Sequence, residues 1–161
     1  ADSLNRLYTS GLNSQPKPLV VLAHSLGCQI MSNYIWDMQH HPDMTLPPFE
    51  RMEKLTGLIM FGCNIPLFTF AHNDVKPITF PPSKLPGNLK QFARWDNYFD
   101  PDDILGYPLK PINKEYKDAV SADIPINVGG LLSNWQPQSH TEYWTDNDFT
   151  KPLVRYLSKF L

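Results

Sequence analysis

The hydrophobic pattern divides the chain into short apolar runs and longer stretches of helical periodicity. Leu19–Ala23 is continuously apolar, which predicts a strand that is buried on both faces of a sheet. From residue 26 to about residue 39 the apolar positions recur at helical spacing, and the pattern ends at His40-His41-Pro42. These two segments predict a buried strand that leads at once into a helix.

The same pattern predicts further strands and helices along the rest of the chain. The predicted strands lie at Leu58–Gly62, Phe92–Tyr98 and Ile124–Val128. The predicted helices lie at 2–13 and 149–160, with a short helical turn near 50–55. Asp148 and Thr150 are candidate caps of the last helix, and Pro152 suits its first turn. Because strands and helices alternate, the chain is predicted to form an α/β fold with a mainly parallel sheet flanked by helices.

A proline-rich stretch at about 64–88 has neither helical nor strand periodicity. A segment of this length inside a compact domain usually covers a functional site or moves. It is therefore predicted to be a lid-like excursion from a single domain that spans residues 1–161.

Composition narrows the class of protein without identifying its chemistry. The 161 residues suit one domain, and the net charge of −2 gives no basic patch for nucleic acid. No apolar run approaches the roughly 20 residues that a membrane span requires. The two cysteines, Cys28 and Cys63, form no disulfide framework, which favours reduced thiols and a cytoplasmic location. Cys28 is interpreted as a small buried apolar residue.

The pentapeptide Ala23-His24-Ser25-Leu26-Gly27 joins the predicted strand to the predicted helix. A serine between two small residues at such a junction is the pattern of a nucleophile elbow, in which a tight strained turn exposes the hydroxyl. Larger residues at the two small positions are expected to collide with the neighbouring strand and helix. The segment resembles the α/β-hydrolase superfamily, whose usual motif is Gly-x-Ser-x-Gly and some of whose lipase-like members have alanine first.

The resemblance implies an acid that orients the catalytic base, and the acid follows the third predicted strand. The segment Asp100-Pro101-Asp102-Asp103 resembles family segments that place two apolar residues and a small residue after the acids. On that pattern Asp103 is the acid and Asp102 is the runner-up. Asp100 is third, because an aspartate before a proline often begins a turn.

The base implied by the resemblance is His140, which follows the last predicted strand and precedes the last helix. The other histidines fit this role poorly. His24 is expected to point away from the nucleophile and to pack beneath the turn. His40 and His41 suit a helix C-terminus, and His72 lies in the excursion.

The resemblance implies a serine hydrolase that cleaves a carboxylic ester or related small acyl substrate through an acyl-enzyme. Ser25 would be the nucleophile, and the backbone N–H of Leu26 would bind the oxyanion. No metal or organic cofactor is expected. Two alternatives stay open: a non-catalytic binding or scaffold module, and an acyltransferase with the same triad. Several aromatic residues are candidates to line an acyl pocket: Trp95, Tyr107, Trp135, Tyr143 and Trp144.

Members of the superfamily have two or more strands before the elbow strand, one of which leads to a second oxyanion donor. Only one helix and one strand are predicted before Ser25. The domain is therefore expected to be N-terminally incomplete, with upstream strands missing from the given sequence. A second chain that completes the sheet beside Leu19–Leu22 is an alternative, and a smaller fold with a fortuitous elbow is another.

Overall fold

The computed structural model describes residues 6, 17–69, 71, 75–128 and 139–161. Its sheet contains β1 (Leu19–His24), β2 (Leu55–Phe61), β3 (Arg94–Phe99) and β4 (Ala122–Pro125). All three strand pairings are parallel, and the strands lie side by side in chain order. The helices are α1 (Leu26–His40), α2 (Ile65–Thr69), α3 (Gly87–Lys90), α4 (Lys114–Ala119), α5 (Ser139–Glu142) and α6 (Asn147–Leu157). The predicted α/β class is confirmed.

The strand β2 has every residue buried, because helices cover both faces of the sheet at this position. Successive side chains of a strand face opposite sides, so β2 contributes to two separate cores. Leu58 and Met60 pack in one core with residues of α1 and α4. Ile59 and Phe61 pack in the other core with residues of α6. The sheet is thus the middle layer of three.

The strand β1 lies at one edge of the described sheet, and its only described strand partner is β2. Leu19 and Ala23 are buried, whereas Leu22 is exposed. The prediction that this strand is buried on both faces therefore does not hold for the residues that the structure describes. Its apolar sequence nevertheless suits the parallel pairing with β2.

Helix boundaries follow capping groups that the hydrophobic pattern did not identify. α6 begins at Asn147, and the side chain of Asp146 caps it by accepting from the backbone N–H of Asp148 at 2.6 Å. The predicted caps Asp148 and Thr150 are wrong, and Pro152 lies inside the helix rather than in its first turn. The segment 50–55 forms hydrogen-bonded turns before it enters β2, and one of them joins Arg51 N–H to the carbonyl of Pro47 at 3.1 Å.

Parts of the excursion and of the predicted first helix lie outside the described residues. Where the structure describes the excursion, Ile78 and Leu85 are buried. α2 lies within it, and α3 begins at its end. The strand predicted at 124–128 begins two residues earlier, as β4. Within the part of the chain that the structure describes, every helix is too short or too polar to cross a bilayer.

Candidate functional site

Ser25 occupies a strained turn between β1 and α1. Its backbone φ is 54° and its ψ is −126°, a conformation that costs a residue with a side chain about 1–3 kcal/mol. Two hydrogen bonds hold it: Ser25 N–H donates to the carbonyl of Phe61 at 3.2 Å, and Ser25 carbonyl accepts from Cys28 N–H at 3.0 Å. The turn directs the hydroxyl of Ser25 away from the sheet edge toward the segment that carries His140.

His140 contacts both the serine and the acid that the sequence predicts. Its Nε2 lies 2.6 Å from the hydroxyl oxygen of Ser25, and its Nδ1 lies 2.8 Å from Oδ2 of Asp103. A carboxylate only accepts, so Nδ1 carries the hydrogen, and Nε2 of the neutral ring accepts from the serine hydroxyl. The structure therefore brings Ser25, His140 and Asp103 into one hydrogen-bonded chain that can move a proton away from the serine.

The three neighbouring aspartates have different surroundings. Asp103 is buried, and its Oδ1 accepts from the backbone N–H of Leu105 at 2.9 Å. Asp102 is exposed. Asp100 is buried and forms the expected turn, because its Oδ1 accepts from Asp102 N–H at 2.8 Å while its Oδ2 accepts from Val128 N–H at 2.7 Å. Of these three, only Asp103 contacts His140.

Tyr143 links the acid to the end of β3. Its hydroxyl donates to Oδ2 of Asp103 at 3.0 Å and accepts from the backbone N–H of Asp100 at 2.9 Å. Burial, the main cause, raises the pKa of Tyr143 well above its usual value, so the hydroxyl keeps the proton that it donates. Tyr143 therefore holds the carboxylate rather than lining an acyl pocket.

Two glycines that sequence reasoning overlooked allow the triad residues to come together. Gly62 follows β2 with φ of 53°, and a Cβ there would lie 3.0 Å from Cε1 of His140. A Cβ on Gly106 would lie 2.6 Å from Oδ2 of Asp103 and 3.1 Å from the Cα of Gly62. Both positions need glycine because the backbone passes directly beside the imidazole and the carboxylate. Gly106 is the small residue that follows the two apolar residues after the acids, which was the signal for it.

His24 contacts the segment that carries the base, a contact that the sequence did not predict. Its Nε2 is 2.6 Å from the backbone carbonyl oxygen of His140, so Nε2 carries a hydrogen and donates it. The ring also stacks on Phe61, with centroids 5.0 Å apart and an angle of 19° between the planes. In the sequence, His24 was considered only against the nucleophile, so a contact with the backbone of His140 was not predicted.

Leu26 is the first residue of α1, and the first N–H groups of a helix have no acceptor within it. Gly27 was expected to be small to avoid a collision. A Cβ built on Gly27 meets nothing within 4 Å among the described residues, so that reason does not hold there. Ala23, in contrast, is buried against the core, as expected.

The aromatic residues that were candidates to line an acyl pocket differ in their burial. Trp95 and Tyr143 are fully buried, Tyr107 is partly buried with its hydroxyl on the carbonyl of Ile104, and Trp135 lies outside the described residues. Trp144 alone of the described four is exposed, and it stands edge-on to Phe61 with centroids 4.7 Å apart.

A cavity of about 420 Å³ begins one helical turn from Ser25 along α1. Gln29 is the lining residue nearest to Ser25 along the chain, and Ser25, Asp103 and His140 do not line this cavity. Residues of α1, α2 and α4 line the cavity, among them Gln29, Asn33, Trp36, Phe68 and Tyr116. Its volume falls within the range of small-molecule sites.

Among the described residues, no three His, Cys, Asp or Glu side chains are grouped so as to hold a metal ion. No protein-family model, curated protein or solved structure matches the chain.

Proposed function

We propose that the chain is a serine hydrolase of the α/β-hydrolase type that cleaves a carboxylic ester or a related acyl compound. The observation that carries the proposal is the hydrogen-bonded chain from Asp103 through His140 to Ser25, with a strained backbone at the serine. The parallel sheet supports it, because the site lies at the carboxyl ends of the strands, where such folds bind ligands.

In the proposed reaction, the hydroxyl oxygen of Ser25 attacks the substrate carbonyl while His140 Nε2 takes its proton. The backbone N–H of Leu26 donates to the oxyanion that forms. When the intermediate collapses, the alcohol leaves with the proton from His140, and the acyl group stays on Ser25. Water then attacks the acyl-enzyme, gives a proton to His140, and releases the acid as Ser25 recovers its proton. Asp103 stabilises the charged imidazole in both halves.

Exposed apolar side chains in the segments that follow the strands support a substrate with an apolar portion. They follow the carboxyl ends of β1, β2 and β3 and the segment of His140: Leu26, Ile30, Phe68, Ile104 and Trp144. We propose a small ester as the substrate and, since the buried Cys28 and Cys63 are unpaired, the cytoplasm as the location.

The proposal is tested with a fluorophosphonate probe, which labels only an activated serine. We expect the wild-type chain to be labelled at Ser25 and the variant Ser25→Ala to lose all labelling. Turnover of a p-nitrophenyl ester should fall by about 10⁶-fold in Ser25→Ala. Ser83→Ala, which removes an exposed serine in the excursion, is the control and should label normally.

Other outcomes of the same experiment identify the alternatives. A folded wild-type chain that neither labels nor turns over an ester would overturn the proposal and favour a non-catalytic binding module. Labelling together with product that forms only when an alcohol or amine acceptor is added would identify an acyltransferase, which uses the same three residues.

A further inference from the structure

His140 lies on a helix that cannot fix the position of its ring alone. α5 contains four residues, Ser139–Glu142, and helices of that length have little intrinsic stability in water. Tertiary contacts must therefore hold the segment. Three of them reach His140 itself: Asp103 on Nδ1, Ser25 on Nε2 and His24 on the backbone carbonyl oxygen.

The contact from His24 differs from the other two because it holds the backbone and not the ring. In a regular strand the side chains of His24 and Ser25 would face opposite sides of the sheet. Here Ser25 has a positive φ, and two successive residues contact His140. His24 contacts its backbone carbonyl oxygen, and Ser25 contacts its Nε2. A shift of the His140 backbone would change the Nε2 to Oγ distance directly.

The ring of His24 is itself held firmly enough to act as a support. It stacks on Phe61 of the fully buried β2, and Trp144 meets it edge-on with centroids 6.1 Å apart. Burial is the main cause that lowers the pKa of His24, and charge on His140 acts in the same direction, whereas Asp103 and the carbonyl contact oppose it. A neutral His24 donates through Nε2 without repelling the imidazolium that forms on His140, whose ring centroid is 4.8 Å away.

We propose that His24 is a positioning residue for His140: its Nε2–H fixes the backbone carbonyl of His140 and thereby sets the reach of the imidazole to Ser25. This inference rests on the proposed function, since the positioned group is the general base of that reaction. Neither Ser25 nor Asp103 can fill this role, because both contact the imidazole ring of His140 and not its backbone.

Four substitutions separate the hydrogen bond from the ring packing. His24→Phe keeps an aromatic ring on Phe61 and removes the donor. His24→Gln keeps an N–H at about the reach of Nε2, and His24→Asn has the same amide one methylene shorter. The matched control is His40→Phe, because His40 also bonds a backbone carbonyl, that of Trp36 at 2.8 Å, and stacks on the Trp36 ring, but at the far end of α1.

In ester hydrolysis, His24→Phe and His24→Asn are expected to lower kcat by about 10- to 100-fold with little change in KM, because they disturb orientation and not substrate binding. His24→Gln should restore most of the turnover, and His40→Phe should match the wild type. Circular dichroism checks that each variant folds. If His24→Phe does not fold, the comparison of Gln with Asn decides. Unchanged kcat in His24→Phe, or equal losses in Gln and Asn, would overturn the proposed role.

A wild-type chain without turnover or probe labelling would overturn the proposed function, and the contact is then tested by proton NMR. A hydrogen between His140 Nδ1 and a carboxylate gives a far-downfield signal, assigned by its loss in His140→Gln. Loss of this signal in His24→Phe and its survival in His24→Gln and His40→Phe would support positioning by His24. A signal that persists unchanged in His24→Phe would overturn it.

Discussion

At the scale of single residues, Asp103 has both carboxylate oxygens occupied. Oδ2 accepts from His140 and from the hydroxyl of Tyr143, and Oδ1 accepts from the N–H of Leu105. A buried carboxylate is stable only when such donors replace the water that it loses. The same contacts fix its orientation, so a single oxygen faces the imidazole.

Replacement of Asp103 by Asn should therefore act through the tautomer of His140. An amide that turns its N–H₂ toward Nδ1 makes Nδ1 the acceptor, so the hydrogen moves to Nε2 and the serine hydroxyl has no base. We expect Asp103→Asn to lower kcat by about 10⁴-fold in ester hydrolysis. The control is Asp102→Asn, one residue away and exposed, which should leave kcat within about twofold. A comparable loss of kcat in Asp102→Asn would show that Asp103 is not the residue that orients His140.

The sequence predicted that Ser25, His140 and an aspartate contact one another, but it did not predict every contact that holds them. Ser25 and His140 were identified because each follows a predicted strand in the order that the resemblance implies. The pattern favoured Asp103 and left Asp102 as the runner-up, because the turn after β3 decides which carboxylate faces inward. The contact of His24 with the backbone carbonyl of His140 was not predicted, because hydrophobic periodicity does not show which loop residue lies beside the end of a strand.

At the scale of elements, a glycine in β2 allows α6 to pack closely on the sheet. A Cβ on Gly57 would lie 2.7 Å from the hydroxyl oxygen of Tyr156 and 3.0 Å from Cγ1 of Val20. The open surface lets the Tyr156 hydroxyl reach the carbonyl oxygens of Thr56 at 3.2 Å and Phe92 at 3.0 Å. Because Gly57 has no side chain, Tyr156 can join α6 to the sheet by these hydrogen bonds.

We expect Gly57→Ala to lower the free energy of unfolding by about 1–3 kcal/mol, because the methyl group displaces a buried ring. Urea unfolding measures the change. Gly87→Ala is the control, since a Cβ there meets nothing within 4 Å of the described structure. The double variant Gly57→Ala/Tyr156→Phe should cost less than the sum of its single variants, because both disturb one contact. Equal stabilities of the Gly57 and Gly87 variants would contradict this account.

Strands and helices were predicted where the hydrophobic periodicity is strong, but the residues at which they begin and end were predicted less well. β1 and α1 lie close to their predicted bounds, since a continuous apolar run and a regular helical spacing define them. β4 is shorter and earlier than predicted, because only its pairing with β3 determines where it begins. The start of α6 is set by Asp146, a polar cap that apolar spacing does not reveal.

At the scale of the whole molecule, the sheet separates two cores that each bury tyrosine hydroxyls. Tyr116 of α4 belongs to the core on one side, and Tyr156 of α6 belongs to the core on the other. Burial, the main cause in both cases, raises each pKa from 10.0 to about 12. Burial also raises the pKa of Tyr34, Tyr98 and Tyr143. The folded protein therefore keeps protons that the unfolded chain releases.

This difference predicts a loss of stability at alkaline pH. Well below pH 10 the hydroxyls are protonated in both states, so they do not change the free energy of unfolding as the pH varies. Between about pH 10 and 12 the unfolded chain binds fewer protons than the folded protein, so the free energy of unfolding falls as the pH rises. For Tyr116 and Tyr156 the loss reaches on the order of 2 kcal/mol each at pH 12. The two losses should add, because the residues lie on opposite sides of the sheet.

Tyrosinate absorbance and circular dichroism, followed together from pH 8 to 12, measure the effect. We expect the buried tyrosines to ionise in the same transition in which the secondary structure is lost. Urea unfolding at pH 8 and pH 11 should show a smaller pH-dependent loss for Tyr116→Phe and Tyr156→Phe than for the wild type, since phenylalanine has no proton to release. Ionisation of all seven tyrosines near pH 10 with an intact dichroism spectrum would mean that the hydroxyls of both cores reach solvent in the folded protein.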